Sequence, residues 1–290
     1  MEQVESLASL CSRVRELCNE AQPFVLIAGG TDWIAERALQ LPEEGAYPTL
    51  LQISTLAELS GIGLFAEKIL RIGAATSLLE ISAHPLLREH APLLVRMAEE
   101  VSKTPTRARS TFGGQLAVAS PTSESVAALA AYDAVVVVRN VDDERRIPFP
   151  ELQTGFKQGN RAADEVIVAV ELVLPGGDAH WEWRTTESLD GEPGPALAFA
   201  AIAEVEAGQA VRCGLGMASV GPTTALLPRT RQLILSTPLA KISRLALDKA
   251  VEADITSSGD LHAIDQDRVD LAKAVVREWL QRCATNQVGP

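Results

Sequence analysis

Two pairs of adjacent glycines carry the most readable chemistry of this 290-residue chain. The first lies in Phe24-Val25-Leu26-Ile27-Ala28-Gly29-Gly30-Thr31-Asp32-Trp33, the second in Ser110-Thr111-Phe112-Gly113-Gly114-Gln115-Leu116. Adjacent glycines leave backbone N–H groups open to a bulky anion, because no Cβ stands in the way. A helix that starts just after such a turn adds the unpaired amides of its first turn. The first segment reads as a buried strand, a sharp turn and a helix start, with Thr31 or Asp32 as the cap. One such segment is equally well explained as a tight turn that binds nothing. Two of them, flanked by small and hydroxyl residues, point to a dinucleotide held from two sides. Neither is Gly-x-Gly-x-x-Gly, and no Gly-x-x-x-x-Gly-Lys-Ser occurs, which disfavours a Rossmann nicotinamide enzyme and a P-loop phosphotransferase.

Around the second pair, Glu124 offers a carboxylate that suits the hydroxyls of a bound ribose or ribityl chain. An acid in the first turn of a helix also has an electrostatic reason of its own to be there. Phe112, Trp181 and Trp183 are candidates to flank a bound ring, with packing the favoured role for Phe112. Tyr132 and Asp133 read as structural. His84, His90, His180 and His262 fall in no motif with a second ligand at metal spacing, and Cys11, Cys18, Cys213 and Cys283 form no Cys-x-x-Cys pair. The residues therefore give no metal site and no nucleophile–base constellation. Cys11 and Cys18, seven apart, read as packing on one helix face.

These residues need elements to hold them. Val4 to Glu20 has helical apolar spacing and Pro23 ends it; Phe24 to Ala28 and Thr49 to Ile53 are apolar strands around a short helix from Trp33. That is a compact βαβ unit with a small parallel sheet. Ile69 to Gly73 reads as a strand, and Ser77 with Glu80 has capping-box spacing. Helices are expected over Pro92 to Val101 and Ser123 to Ala131, and strands over Ala134 to Arg139 and Glu165 to Leu174. The Gly-, Pro- and acid-rich stretch from Gly176 to Pro195 marks a subdomain boundary, with Trp181 and Trp183 alternating as in a strand. Strands near Ala196–Val205 and Val211–Val220 and helices near Lys241–Val251 and Arg268–Ala284 complete the chain.

Composition narrows the function classes. The formal net charge is -12, and the nearest basic group, Arg107, Arg109, Arg139, Arg145 and Arg146, is diluted by Asp142, Asp143 and Glu144. No nucleic-acid face is expected. No apolar run approaches the ~18 residues of a membrane span, so no membrane insertion is expected either. The acidic start Met1-Glu2-Gln3-Val4-Glu5 lacks the basic region of a secretory signal, which makes cytoplasmic the default location.

Three strings together carry a family resemblance. Ala28-Gly29-Gly30-Thr31-Asp32, Ile72-Gly73-Ala74-Ala75-Thr76 and Thr111-Phe112-Gly113-Gly114-Gln115-Leu116-Ala117-Val118-Ala119-Ser120-Pro121 resemble the signatures of the FAD-binding medium subunit of the molybdenum hydroxylases, the xanthine dehydrogenase and carbon monoxide dehydrogenase group. The resemblance covers about Pro23 to Val220. It implies an α+β, two-subdomain FAD-binding fold: an N-terminal βαβ subdomain (1–55), a central mixed-sheet α/β subdomain (56–178), and a C-terminal domain (179–290) of a three-stranded sheet plus helices. It implies FAD held by Leu26, Ile27, Ala28, Gly29, Gly30, Thr31, Asp32 and Trp33 on one side and by Thr111, Phe112, Gly113, Gly114 and Gln115 on the other. Glu124 stands where the family has Asp, Gln115 where it has Asn, and Arg184 where many members have Lys. Arg107-Ala108-Arg109 replaces the Ile-Arg-Asn of many members. Val166 and Ile167 would line the flavin or the adenine.

The function so implied is that of an FAD-binding electron-transfer subunit. It would take electrons from a [2Fe-2S] small subunit, beside a molybdenum cofactor-binding large subunit, and pass them to an acceptor such as NAD or a quinone. Partner subunits would cover exposed apolar residues such as Phe149, Phe156 and Trp181. Two alternatives stay open at this point. One is a stand-alone flavoprotein oxidase or reductase. The other is a nucleotide-binding assembly subunit without flavin redox activity.

Overall fold

The structure is a computed structural model that describes residues 1–39, 47–101, 103–118, 123–155, 158–186, 197–220, 224, 226–257 and 266–285, without the side chains of 36–39 and 153–159. Phe156, Thr122 and the stretch 187–196 lie outside the described residues.

The N-terminal unit runs β1 (Glu2–Gln3), α1 (Leu7–Asn19), β2 (Phe24–Ile27), α2 (Thr31–Leu39) and β3 (Thr49–Gln52). Helical spacing puts Leu7, Leu10, Cys11, Val14 and Leu17 on the buried face of α1, and Ser6 and Ser9 cap its start reciprocally. All strand pairs here are parallel, in the order β1-β3-β2. The expected βαβ unit is present, and β1 extends it: Glu2 and Gln3 pair with Leu51 and Gln52.

The central unit opens with the hairpin β4 (Ile62–Ala66) and β5 (Ile69–Gly73). Short helices follow: α3 (Leu78–Ala83), α4 (Pro85–His90), α5 (Pro92–Glu100), α6 (Thr104–Arg107), α7 (Phe112–Val118) and α8 (Glu124–Ala131). Ser77 and Glu80 form the expected capping box at α3. The chain then makes β6 (Val135–Arg139), β7 (Glu144–Pro148), α9 (Phe149–Leu152), the small pair β8 (Gln153–Gly155) and β9 (Gln158–Gly159), and β10 (Val166–Val173). The sheet order is β4-β5-β10-β6-β7, with the latest strand in the middle. Every pairing in it is antiparallel, so what is mixed in this unit is helix with strand, not strand direction.

The C-terminal unit is the antiparallel meander β11 (His180–Thr186), β12 (Leu197–Glu206) and β13 (Gln209–Ala218), then α10 (Pro228–Ser236), α11 (Arg244–Ser257) and α12 (Gln266–Ala284). This is the α+β architecture expected, with its C-terminal three-stranded sheet and helices.

Alternation along strands divides the core. Val137 and Val168 face α1, Leu51 and Leu59. Val136, Val138, Val170 and Leu172 face the helices α3, α5 and α8. In β12, Ala198, Ala200 and Ile202 join that second cluster, whereas Leu197, Phe199 and Ala201 turn the other way, towards α12. A strand buried on both faces is apolar throughout, which is why Leu197–Ala203 reads as one continuous run. Phe199 meets Trp279 edge-on, with ring centroids 6.1 Å apart.

Candidate functional site

The two glycine segments, distant in sequence, meet. Arg109 Nε and Nη2 donate to the Gly29 carbonyl at 3.2 and 3.0 Å, and Ser110 Oγ donates to Thr31 Oγ1 at 3.2 Å. A Cβ on Gly29 would stand 1.8 Å from the Arg109 carbonyl oxygen, so only glycine allows this crossing. Gly30 has φ +71°, the left-handed region that ends β2 and turns the chain into α2. Within this first pair, one glycine serves chain crossing and the other the turn.

The second pair divides its work in a similar way. Gly113 N–H donates to the Ala74 carbonyl at 2.8 Å, and a Cβ there would meet Ala74 Cβ at 2.6 Å. Gly114 faces the open side, where a Cβ would meet only Thr111 Oγ1, at 3.0 Å. Both glycines sit in the first turn of α7 rather than in a loop. Thr111 accounts for this: its hydroxyl oxygen accepts from Gly114 N–H at 3.2 Å, the geometry of a helix N-cap. Phe112 N–H bonds the Thr76 carbonyl and Ala74 N–H the Val168 carbonyl, both at 3.0 Å. The Ile72–Thr76 string thus seats α7 against β10.

Between the segments lies a cleft of about 500 Å³, within the ~300–1,000 Å³ range of small-molecule sites. Leu26, Ile27, Ala28, Gly29, Gly30, Thr31, Asp32 and Trp33 line one wall; Thr111, Gly113, Gly114 and Gln115 line another; Val166 and Ile167 contribute from β10. The lining is mostly backbone, small, hydroxyl and apolar groups, and its charged members are Asp32 and Arg161. Bare backbone at Gly30 and Gly114, together with the first turn of α2, fits a phosphate-bearing dinucleotide, whereas the N–H groups of Phe112, Gly113 and Gly114 in α7 are already bonded to Thr76, Ala74 and Thr111.

Three of the residues expected to hold FAD stand outside the lining, as do Trp181 and Trp183, the candidates to flank a ring. Phe112 is fully buried and packs in the core. Glu124 starts α8 beside Glu100; burial, and then the Glu100 charge, push its carboxyl above the usual carboxylate range. Arg184 lies on β11, where it pairs with Glu182 at 3.2 Å and with Glu278 at 2.6 Å. Gln115 Oε1 accepts from Ser123 Oγ at 3.1 Å and Ser125 Oγ at 3.5 Å, so its longer side chain ties α7 to α8.

One expectation is corrected. Phe149 is not an exposed apolar residue awaiting a partner; it is 1% exposed, because α9 turns it under β6 and β7. Trp181 is only partly buried but packs against the same cluster, and Trp183 is buried, with Nε1 donating to Glu100 Oε2 at 2.8 Å.

The cleft also holds residues that the sequence did not single out for a site: Phe24, Val25, Ile53, Ala74, Ala117, Val118, Arg161 and Ala163. Phe24, Val25, Ala74, Ala117 and Val118 belong to the strings already quoted. Ala117 and Val118 follow Gly114 by three and four positions, the spacing of one helix face. Arg161 has no local signal.

Among the described residues no cluster of three or more His, Cys, Asp or Glu could hold a metal, and no helix is long and apolar enough to cross a membrane.

Known proteins share this design. The putative xanthine dehydrogenase FAD-binding subunit of Escherichia coli K12 is 24% identical over 276 residues, covering 93% of this chain and 92% of that one. The carbon monoxide dehydrogenase medium chain of Hydrogenophaga pseudoflava is 24% identical over 266 residues, covering 89% and 90%. In structure, a chain of the carbon monoxide dehydrogenase from Hydrogenophaga pseudoflava superposes with a TM-score of 0.86 at 20% identity, over 98% of this chain and 96% of that one. A chain of quinoline 2-oxidoreductase from Pseudomonas putida 86 gives 0.80 at 22% identity, over 99% and 97%. The family model for the FAD binding domain in molybdopterin dehydrogenase matches residues 2–175. The chain thus belongs to the FAD-binding family of the molybdopterin dehydrogenases, as an oxidoreductase flavoprotein subunit with FAD as its cofactor.

Proposed function

We propose that this chain is the electron-transfer subunit of a heteromeric molybdenum hydroxylase. It takes electrons from a [2Fe-2S] small subunit, beside a molybdenum cofactor-binding large subunit, and hands them to an acceptor such as NAD or a quinone. The observation that carries this reading is the meeting of two glycine segments across one cleft whose lining is backbone and small side chains. Such a lining binds and orients; when FAD is bound, it supplies the redox chemistry. The relatives' names support the partners, because they describe FAD-binding subunits and medium chains of larger dehydrogenases.

In this reading the backbone of Leu26–Trp33 wraps the pyrophosphate, the first turn of α7 from Thr111 to Gln115 holds it from the other side, and Val166 and Ile167 support a ring. Glu124 and Arg184 act from behind the cleft, on the position of α8 and β11. Residues 1–178 form the FAD-binding domain, as subdomains 1–55 and 56–178, and 179–290 form the C-terminal domain. The complex works in the cytoplasm.

The test is an absorption spectrum of the purified chain before and after incubation with FAD and desalting. Retained bands near ~370 and ~450 nm, with free FAD released on denaturation, are expected. Reduction of that flavin by substrate in the assembled complex, and not in the isolated chain, would support the electron path. Substrate turnover by the isolated chain would overturn it.

A further inference from the structure

We propose that Arg161 is a ring-binding residue of the FAD cleft, holding a terminal ring of the dinucleotide by stacking and by hydrogen bonds to its acceptor atoms. This rests on the reading of the cleft as the FAD site.

Position comes first. β2 runs from Phe24 to the Gly29–Gly30 turn, and both ends line the cleft. β10 runs the same way: Val166 and Ile167 line the cleft, and the next residue, Val168, bonds Ala74, on which Gly113 rests. Arg161 precedes β10 and lines the cleft with Ala163. It therefore stands at the end where both strands begin, away from the glycines. The four residues of β2 span about 13 Å at a strand's rise. A group at the far end of that span from the Gly29–Gly30 turn is set to meet a ring and not a phosphate.

Charge comes second. The neighbouring carboxylates are already taken. Glu165 accepts from Arg145 Nε and Nη2 at 2.5 and 2.9 Å, and Asp164 accepts from Arg15 Nε at 2.8 Å. Arg161 forms no ion pair among the described residues. Its Nη1 donates to the Glu165 carbonyl, which anchors the guanidinium, and Nε and Nη2 have no hydrogen-bond partner among the described residues. Arg161 is exposed overall, while desolvation around its guanidinium lowers the pKa from its ordinary value and Glu165 pulls it up. An anchored, unpaired guanidinium at the mouth of an aromatic-ring site can stack on a ring face and donate to ring nitrogens or carbonyls.

Dissociation constants of the full chain for FAD, ADP and FMN, with melting temperatures, test this in wild type, Arg161→Gln and Arg161→Lys. The expected result is that Arg161→Gln weakens FAD about 10-fold or more, the size of a lost charged contact. The same loss should appear with one fragment only: ADP if the ring is adenine, FMN if it is the flavin. Arg161→Lys should lose less, and the melting temperature should hold in both variants. Unchanged FAD affinity in Arg161→Gln would overturn the proposal. So would an equal loss for ADP and FMN with a lowered melting temperature, which marks a structural role. A wild-type chain that binds none of the three would overturn the FAD reading itself, and the role of Arg161 with it.

Discussion

Arg109 and Gly29 occupy one crossing. The Arg109 carbonyl lies 1.8 Å from where a Cβ on residue 29 would stand, and the Arg109 guanidinium closes on the Gly29 carbonyl at 3.0 and 3.2 Å. Gly29→Ala forces the two segments apart. The expected cost is about 1–3 kcal/mol, the range for overpacking a close contact, together with loss of retained FAD. Thermal unfolding and flavin content of the desalted protein check this. Gly63→Ala, on the edge strand β4 with open space around it, is the control and should change neither.

Thr111 tests whether the start of α7 matters to the site beyond packing. Thr111→Val keeps the shape and removes the oxygen that accepts from Gly114 N–H. About 1 kcal/mol of stability should go with the cap, and FAD affinity should fall because the first turn of α7 loosens. Thr111→Ser should restore both. Calorimetric FAD titration of the three proteins decides; equal affinity in all of them sinks the idea.

These two segments also measure how far the sequence could be read. The Ser77–Glu80 capping box and the apolar run of β12 are local signals, and the structure has each as expected, while the second Gly-Gly pair lies in the first turn of α7 instead of a loop. What the sequence hid is held by distant partners. β1 is two residues long and exists only through Leu51 and Gln52. The division of labour between Gly29 and Gly30 depends on a carbonyl eighty residues away. Arg161 sits in a connection whose meaning comes from where β10 lies in the sheet. Phe149 follows a charged strand and reads as exposed, yet α9 folds it inward.

Glu124 gives a pH signature. Burial, with Glu100 nearby, raises its pKa in the folded chain above the ordinary carboxylate value of 4.5. The folded state therefore holds this proton more tightly than the unfolded state. Its contribution to stability is complete below pH 4.5 and is lost as pH rises through the folded pKa. Glu124→Gln should thus be more stable than wild type at neutral pH, with the difference shrinking to nothing as the pH falls below 4.5. Denaturant melts across that interval provide the check. A constant difference at every pH would refute the assignment.

Asp254 separates the C-terminal helices from the site. Leu227, the residue before α10, has no capping side chain, and Asp254 from α11 supplies the cap: it accepts from Arg229 N–H at 3.0 Å and from Thr230 N–H and Oγ1 at 2.8 Å each. The carboxylate is fully buried. Asp254→Ala leaves these donors inside without it and should cost about 2–4 kcal/mol. FAD affinity measured below the melting range should stay at the wild-type value, because no residue of α10 or α11 lines the cleft.

The place of β10 sets an order of events in the cell. It is the last strand of its sheet to be synthesised and the one inserted in the middle. It brings Val166 and Ile167 to the cleft, and Val168 holds Ala74, on which Gly113 is seated. A ribosome that has delivered both glycine segments has not yet delivered the strand that joins them. Flavin loading is therefore expected late in translation, after β10 has left the exit tunnel. A nascent chain stopped just before Val166 should carry both signatures and retain no flavin.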